Sequence, residues 1–400
     1  MRGEPHGSGP ARRTRLTACR RRSIWCTLWL AFYDSAPSES SMPLPSKRDT
    51  ADLRDQLTRW LARLLPRGAN PELSSLSVPE GTGMSSETFL FDAHWREDGE
   101  TRGGSYVARM GPDMNDFPAF PEYDLSLQVE CLRFVAEKSD VPVPKVAWTE
   151  NDPSVVGTPF YVMERIDGTA PTDVPPYVFG GWLIDAEPER RAELQRSSVG
   201  ILAELHGIRL EDRERKILDR PQYGASPMDQ HLGYQRAYYH WAREGVSFRC
   251  IEHAFDWLDA NRPTDPGPGG LNWGDARIGN ILFRDFVPVA VLDWEMAALG
   301  PPEVDLAWMV QMHAFFAGFT EALDLPGLPG FMERDAVISH YEQLTGHSVR
   351  DFDWYFVFAA LRFMIVSIRT SMRAIAYGQM EKPEDPEEMI INRNQVVPFL

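Results

Sequence analysis

The residues that most clearly carry chemistry in this chain are Asp275, Asn280 and Asp293. Asp275 and Asn280 stand five positions apart within Asn272 to Phe283. A β-like run follows, and Asp293 closes a second such run just ahead of Trp294 and Glu295. Phosphoryl transfer needs a carboxylate to orient or deprotonate the attacking hydroxyl, plus an oxygen ligand and a second carboxylate to hold magnesium on the phosphates. Magnesium takes hard oxygen ligands and few of them from protein. The three residues supply that set. A lone Asp or Asn beside a turn is usually a turn former; the joint spacing of Asp275, Asn280, Asp293 and Asp305 argues against that reading here.

This segment resembles the aminoglycoside phosphotransferase family, whose motif reads H-G-D-x-x-x-x-N followed by an I-D-W/F strand. Protein kinases, distant relatives, use D-x-x-x-x-N and D-F-G in the same roles. The resemblance implies that Asp275 is the catalytic base and that Asn280 and Asp293 bind magnesium. Arg277 matches the position of a kinase lysine that steadies the γ-phosphate. Gly300 to Ala307 is similar to the family's G-D-P-x-x-D-L-A, which makes Asp305 a support of the catalytic loop. The resemblance runs from about Val78 to Ala317 and is closest to the kinase-like domains fused to acyl-CoA dehydrogenases.

Upstream, Gly81, Gly83, Ser85 and Ser86 precede a β-run, as a phosphate-covering loop would; small residues let backbone N–H groups approach phosphate. By the resemblance, Arg109 ends a strand and grips the α- and β-phosphates, and Glu130 on the next helix pairs with it. Read alone, Arg109 is equally a solvated strand residue and Glu130 a surface helix charge. Val141 to Pro144 and Gly157 to Ile166 resemble the lobe-linking region. Met163, Glu164 and Ile166 would then lie against adenine, and Leu202 to His206 would be the family's L-A-x-L-H helix end. The chain departs from the family at Trp273, where the motif has His, at Arg109 in place of lysine, and at Pro301 in place of Asp. Arginine and lysine are not equivalent at phosphate.

These residues must be positioned by surrounding elements. Helical spacing of Leu53, Leu57, Trp60, Leu61 and Leu64 predicts a helix over 51–65. Runs at 88–93 and 105–110 around a polar stretch, 96–104, predict a hairpin. A helix over 123–138 and two strands within 155–166 complete a β-rich lobe with one main helix. Helices are then predicted at 187–206, 234–261, 304–317, 334–344 and 351–377, with short strands at 280–283 and 287–294. The class is α+β: a bilobal protein-kinase-like fold with an antiparallel N-terminal sheet lobe, 42–166, and a larger helical lobe, 167–400. Residues 1–41 read as a disordered extension, or as sequence upstream of a start at Met42.

Composition bounds the partners. The chain has 400 residues, 43% hydrophobic, with formal net charge -17. That acidity argues against nucleic-acid binding and suits a cationic small molecule. Four scattered cysteines argue against a zinc site or disulfide framework and favour a cytoplasmic location. The apolar run 24–32 is too short to span a membrane. The expected protein is an enzyme that uses ATP and Mg2+ to phosphorylate a hydroxyl of a small molecule, an aminoglycoside-like antibiotic or a hydroxylated metabolite. The departures at Trp273 and Arg109 keep a non-catalytic nucleotide-binding pseudokinase module as the alternative. Asp293 and Asp305 stand too close to hold a protein-kinase activation segment, and the acceptor and oligomeric state have no readable code.

Overall fold

The computed structural model describes residues 48–79, 86–267 and 269–400. The expectations for residues 1–41 and for Gly81, Gly83 and Ser85 lie outside that set.

The first lobe is built on a five-stranded sheet of order β1-β2-β3-β5-β4, antiparallel throughout. The strands are β1 (Glu72–Leu73), β2 (Glu87–Glu97), β3 (Glu100–Met110), β4 (Val146–Glu150) and β5 (Phe160–Glu164). Strand alternation sends Phe89, Phe91 and Ala93 to one face. Helix α1 (Thr50–Leu64) covers that face with Leu53, Leu57, Trp60 and Leu61, and the Trp60 ring lies 4.7 Å from Phe160. Asp49 caps α1, accepting from the Ala51 and Asp52 N–H groups. On the opposite face, Val107, Tyr161 and Met163 join α2 (Leu125–Lys138) in a core that continues into the second lobe.

Two strand expectations are corrected. β2 and β3 run through the polar stretch 96–104 and turn only at Asp98 and Gly99, both at positive φ. Asp-Gly is the signature of such a two-residue turn. Only one strand forms within 155–166; β4 lies earlier, and residues 153–158 make turns instead.

The second lobe is helical, comprising α3 (Pro188–Gly207), α4 (Asp212–Leu218), α5 (Pro227–Ala242), α6 (Arg249–Ala260), α7 (Glu303–Ala322), α8 (Arg334–Thr345) and α9 (Phe352–Ala376). The helix expected over 234–261 is two, broken at Glu244 and Gly245, both at positive φ, a conformation that helical backbone excludes. α9 is apolar and long enough to cross a membrane by composition, yet 72% of its most apolar window is buried within the protein.

Two nested hairpins position the chemistry. β6 (Gly270–Asn272) pairs with β9 (Ala298–Gly300), and inside that pair β7 (Ile281–Arg284) pairs with β8 (Val287–Val291). The loop leaving β6 carries Asp275, and the turn leading into β9 carries Asp293. The Leu292 N–H donates to Asn280 O at 2.9 Å, closing the two segments on each other.

Candidate active site

The loop from Trp273 to Asn280 is held from beneath by Asp305, which is fully buried near the start of α7. Its Oδ2 accepts from Trp273 N–H at 2.7 Å and its Oδ1 from Gly274 N–H at 2.9 Å. His206, at the end of α3, meets Oδ2 at 3.1 Å and Tyr341 Oη at 2.8 Å. A buried carboxylate persists when such donors satisfy it. The supporting role expected of Asp305 has this geometry, and His206 is part of the same brace. Gly274 sits at φ +91°, where a Cβ would come within 2.1 Å of Met296 O, so the turn requires glycine.

This brace presents Asp275. Its Oδ1 accepts from Trp308 Nε1 at 2.7 Å; its Oδ2 accepts from Asn280 Nδ2 at 2.6 Å and Arg277 Nε at 3.2 Å. Charge-assisted contacts of this kind fix a carboxylate in one orientation. Arg277 also pairs with Asp173, from the loop between β5 and α3. Burial works against the Arg277 charge, but Asp275 and Asp173 more than offset it and raise its pKa. Asn280 turns its amide nitrogen to Asp275, donating to its main-chain oxygen at 3.1 Å and to its carboxylate at 2.6 Å.

Asp293 lies at φ +62°, an uncommon conformation for a residue with a side chain. Trp273 stabilises it: the buried indole Nε1 donates to Leu292 O at 2.9 Å and Asp293 O at 3.2 Å. The departure at Trp273 therefore still supplies packing and hydrogen bonding to the loop. Asp293 Oδ1 stands 3.2 Å from Arg109 Nη2, and Glu295 stands 3.9 Å from the same atom. Arg109 is buried; burial opposes its charge, and the charge of Asp293, then Tyr161 and Glu295, outweighs that and raises its pKa. The sheet thus delivers Arg109 to the turn that carries Asp293 and Glu295.

Glu130 does not join it. Its carboxylate binds Arg133 and Arg213 at 2.9 and 2.6 Å. The α2 residue facing the sheet near Arg109 is Gln128, bonded to Tyr161 at 3.1 Å, and two residues further along a helix is about 200° around its axis. The expected Arg109–Glu130 pair is replaced by Arg109–Asp293. Ser86 is buried, and its Oγ has no partner among the described residues. Met163 is also buried, in the core. Glu164 is exposed, and Ile166 follows the strand, half-buried. The Glu164 and Arg165 N–H groups bond Lys145 O and Ser105 O, so two backbone donors near the expected adenine contact are engaged within the lobe.

A profile of the phosphotransferase enzyme family matches residues 85–336. The chain belongs to that family. It is 30% identical over 315 residues to the Arabidopsis thaliana protein named probable acyl-CoA dehydrogenase IBR3, covering 73% of this chain and 35% of that one. It is 30% identical over 266 residues to chicken acyl-CoA dehydrogenase family member 11, covering 64% and 30%. The chain thus spans about a third of the length of these relatives. Among solved structures, Plasmodium vivax ethanolamine kinase superposes with a TM-score of 0.58 at 14% identity, covering 96% of this chain and 98% of that one. Macrolide 2'-phosphotransferase MphH of Brachybacterium faecium gives 0.52 at 18%, covering 84% and 98%. These likenesses show the bilobal α+β kinase-like fold.

The sequence did not single out Trp308, Asp173 or Arg362. Trp308 was legible, because it stands three residues after Asp305 and so shares its helix face. Asp173 lies in an irregular loop with no pattern. Arg362 is one of two buried arginines in a largely apolar helix, and it donates to Gly274 O at 2.8 Å.

Proposed function

We propose that this phosphotransferase moves the γ-phosphoryl group of ATP, with magnesium, onto a hydroxyl of a small molecule. The observation that supports this most is the Asp275 carboxylate, held at once by Trp308, Arg277 and Asn280, with the Asn280 carbonyl bonded to Leu292 next to Asp293. When bound, magnesium would screen the phosphate charge. Asn280 and Asp293 are the residues that would hold it, and their amide and carboxylate oxygens are the hard donors it prefers. Among the described residues no cluster of three or more His, Cys, Asp or Glu could hold a metal.

In this reading Asp275 accepts or orients the proton of the acceptor hydroxyl. Its other contacts fix its lone pairs, so no reorganisation is needed during transfer. Arg277, next to Asp275, offsets charge on the transferred group. Arg109, now 3.2 Å from Asp293, would offset phosphate charge once Asp293 holds the magnesium. Ser86, just ahead of β2, would cover the phosphates in this reading. The net charge of -17 keeps the protein away from nucleic acid in this account, and a cytoplasmic location belongs to the same proposal.

A pseudokinase remains the second reading, favoured by one observation: Arg109 is already paired with Asp293. A nucleotide melting-shift measurement with and without Mg2+, paired with ATP consumption over a panel of hydroxyl compounds, separates the two. Mg2+-dependent stabilisation with acceptor-dependent consumption supports the enzyme. Stabilisation with no consumption on any acceptor supports the module.

A further inference from the structure

α9 carries two buried arginines on one face, Arg362 and Arg369, 2% and 5% exposed. Their surroundings differ. Arg369 is matched: its Nε donates to Pro118 O at 2.8 Å, its Nη1 binds Glu244 at 2.6 Å, and it stacks on Phe117 and Trp241. Arg362 has no carboxylate in contact. One nitrogen, Nη2, donates to Gly274 O at 2.8 Å and reaches Met296 Sδ at 3.9 Å, while Nε and Nη1 are buried without a partner. Its guanidinium lies 4.3 Å from the Trp308 ring, the same ring whose N–H holds Asp275. Buried cations are ordinarily paired and hydrogen-bonded throughout.

Arg362 is part of the wall of a cleft between the lobes. Gln230, His231 and Gln235 are the other buried polar groups there; Arg220 and Glu295 line the cleft half-buried, and Glu122 and Asp124 lie exposed on it. Burial, and then Arg362, lower the His231 pKa to about 4, so His231 brings no second charge at neutral pH. Among the fully buried residues of this lining, Arg362 is the one that carries a charge, and two of its nitrogens are unpartnered, while the acids Glu122, Asp124 and Glu295 line the exposed and half-buried parts.

We propose that Arg362 binds an anionic group of the acceptor, a carboxylate, so that the preferred substrate is a hydroxy acid and not a polycation. A carboxylate would take the unpartnered N–H groups while Trp308 and Gly274 O hold the guanidinium plane. This deepens the phosphotransferase reading and rests on it for calling the ligand an acceptor. The anion site itself is readable by binding alone.

The test uses the full chain and three probes of equal length, each with a terminal hydroxyl: an ω-hydroxycarboxylate, the diol and the amino alcohol. Calorimetric affinity is measured first and ATP consumption second. The carboxylate is expected to bind roughly 10-fold or more tightly than the other two, the usual worth of a charge-assisted contact. Arg362→Gln should erase that preference, and Arg362→Lys should retain part of it, which covers the case in which the glutamine variant does not fold. Tighter binding of the amino alcohol, equal binding of all three, binding of none, or a carboxylate preference that survives in a folded R362Q protein each overturns the proposal. Carboxylate preference in binding with no ATP consumption by any probe would leave the anion site standing and count against the phosphotransferase reading instead.

Discussion

Replacing Trp273 with Phe isolates what the indole nitrogen does. The buried ring is largely retained, and the N–H that reaches Leu292 O at 2.9 Å and Asp293 O at 3.2 Å is lost. Two carbonyls of the Leu292–Asp293 turn then lose their common donor. Leaving a buried polar group unsatisfied costs about 1–3 kcal/mol. Because one N–H is shared by both acceptors, the cost should fall near the middle, about 2 kcal/mol. Asp293 at φ +62° relies on that support, and such a conformation itself costs about 1–3 kcal/mol. W273F should therefore melt several degrees lower. Its ATP-dependent turnover should also need roughly 10-fold more Mg2+ for half-saturation, since about 1.4 kcal/mol corresponds to a factor of ten. Differential scanning fluorimetry and a magnesium titration of turnover read the two effects. A variant that melts like wild type and titrates with the same magnesium midpoint would show that Trp273 is a space-filler, and the hydrogen-bonding account of the departure would fall.

Three further outcomes follow from the same framework. Asp305→Asn turns an amide N–H2 toward backbone donors now paired with a carboxylate, at 2.7 and 2.9 Å. It should cost about 1–3 kcal/mol and depress turnover more than nucleotide binding; equal turnover and melting would refute the brace. Gly274→Ala places a Cβ 2.1 Å from Met296 O at positive φ; soluble, fully active G274A protein would contradict the described turn. His231 and His313 both have their pKa lowered to about 4, by burial first in each case. The unfolded chain binds those protons near pH 6.5 and the folded chain does not. Stability should thus fall as pH drops from about 6.5 to about 4, by on the order of 2–3 kcal/mol per histidine. Melting curves across that range should show the fall, and a flat profile would contradict the burial of both rings as neutral groups.

How much of this was legible in the sequence varied with the kind of constraint. Asp275, Asn280, Asp293 and Asp305 could be read together, because a magnesium-phosphate centre limits residue type and spacing at once. Long helices such as α7 and α9 were legible from their apolar runs. The break between α5 and α6 was carried by Gly245, whose positive φ overrides the surrounding pattern. The extent of β2 and β3 was hidden because their outer half is exposed, so polar residues looked like a turn while Asp98 and Gly99 alone made it. Glu130 illustrates a different limit. A helix-borne acid near a strand-borne base invites pairing, but helix rotation, set by the packing of Leu127, Cys131 and Phe134, turned Glu130 toward Arg213. Asp173 and Arg362 reach the site across 104 and 88 positions of chain. No local pattern carries such contacts, although an arginine between long apolar runs of a helix is a signal worth following.

The central claim is that Asp275 performs phosphoryl transfer while other residues hold the nucleotide. It is tested most directly by comparing wild type with Asp275→Asn in acceptor-dependent release of ADP, with Mg2+-ATP affinity measured on the same preparations. The account predicts turnover lowered by roughly 10²–10⁴-fold, the usual contribution of a positioned base, with nucleotide affinity changed by no more than a few-fold. Turnover in D275N equal to wild type, with affinity preserved, would contradict it.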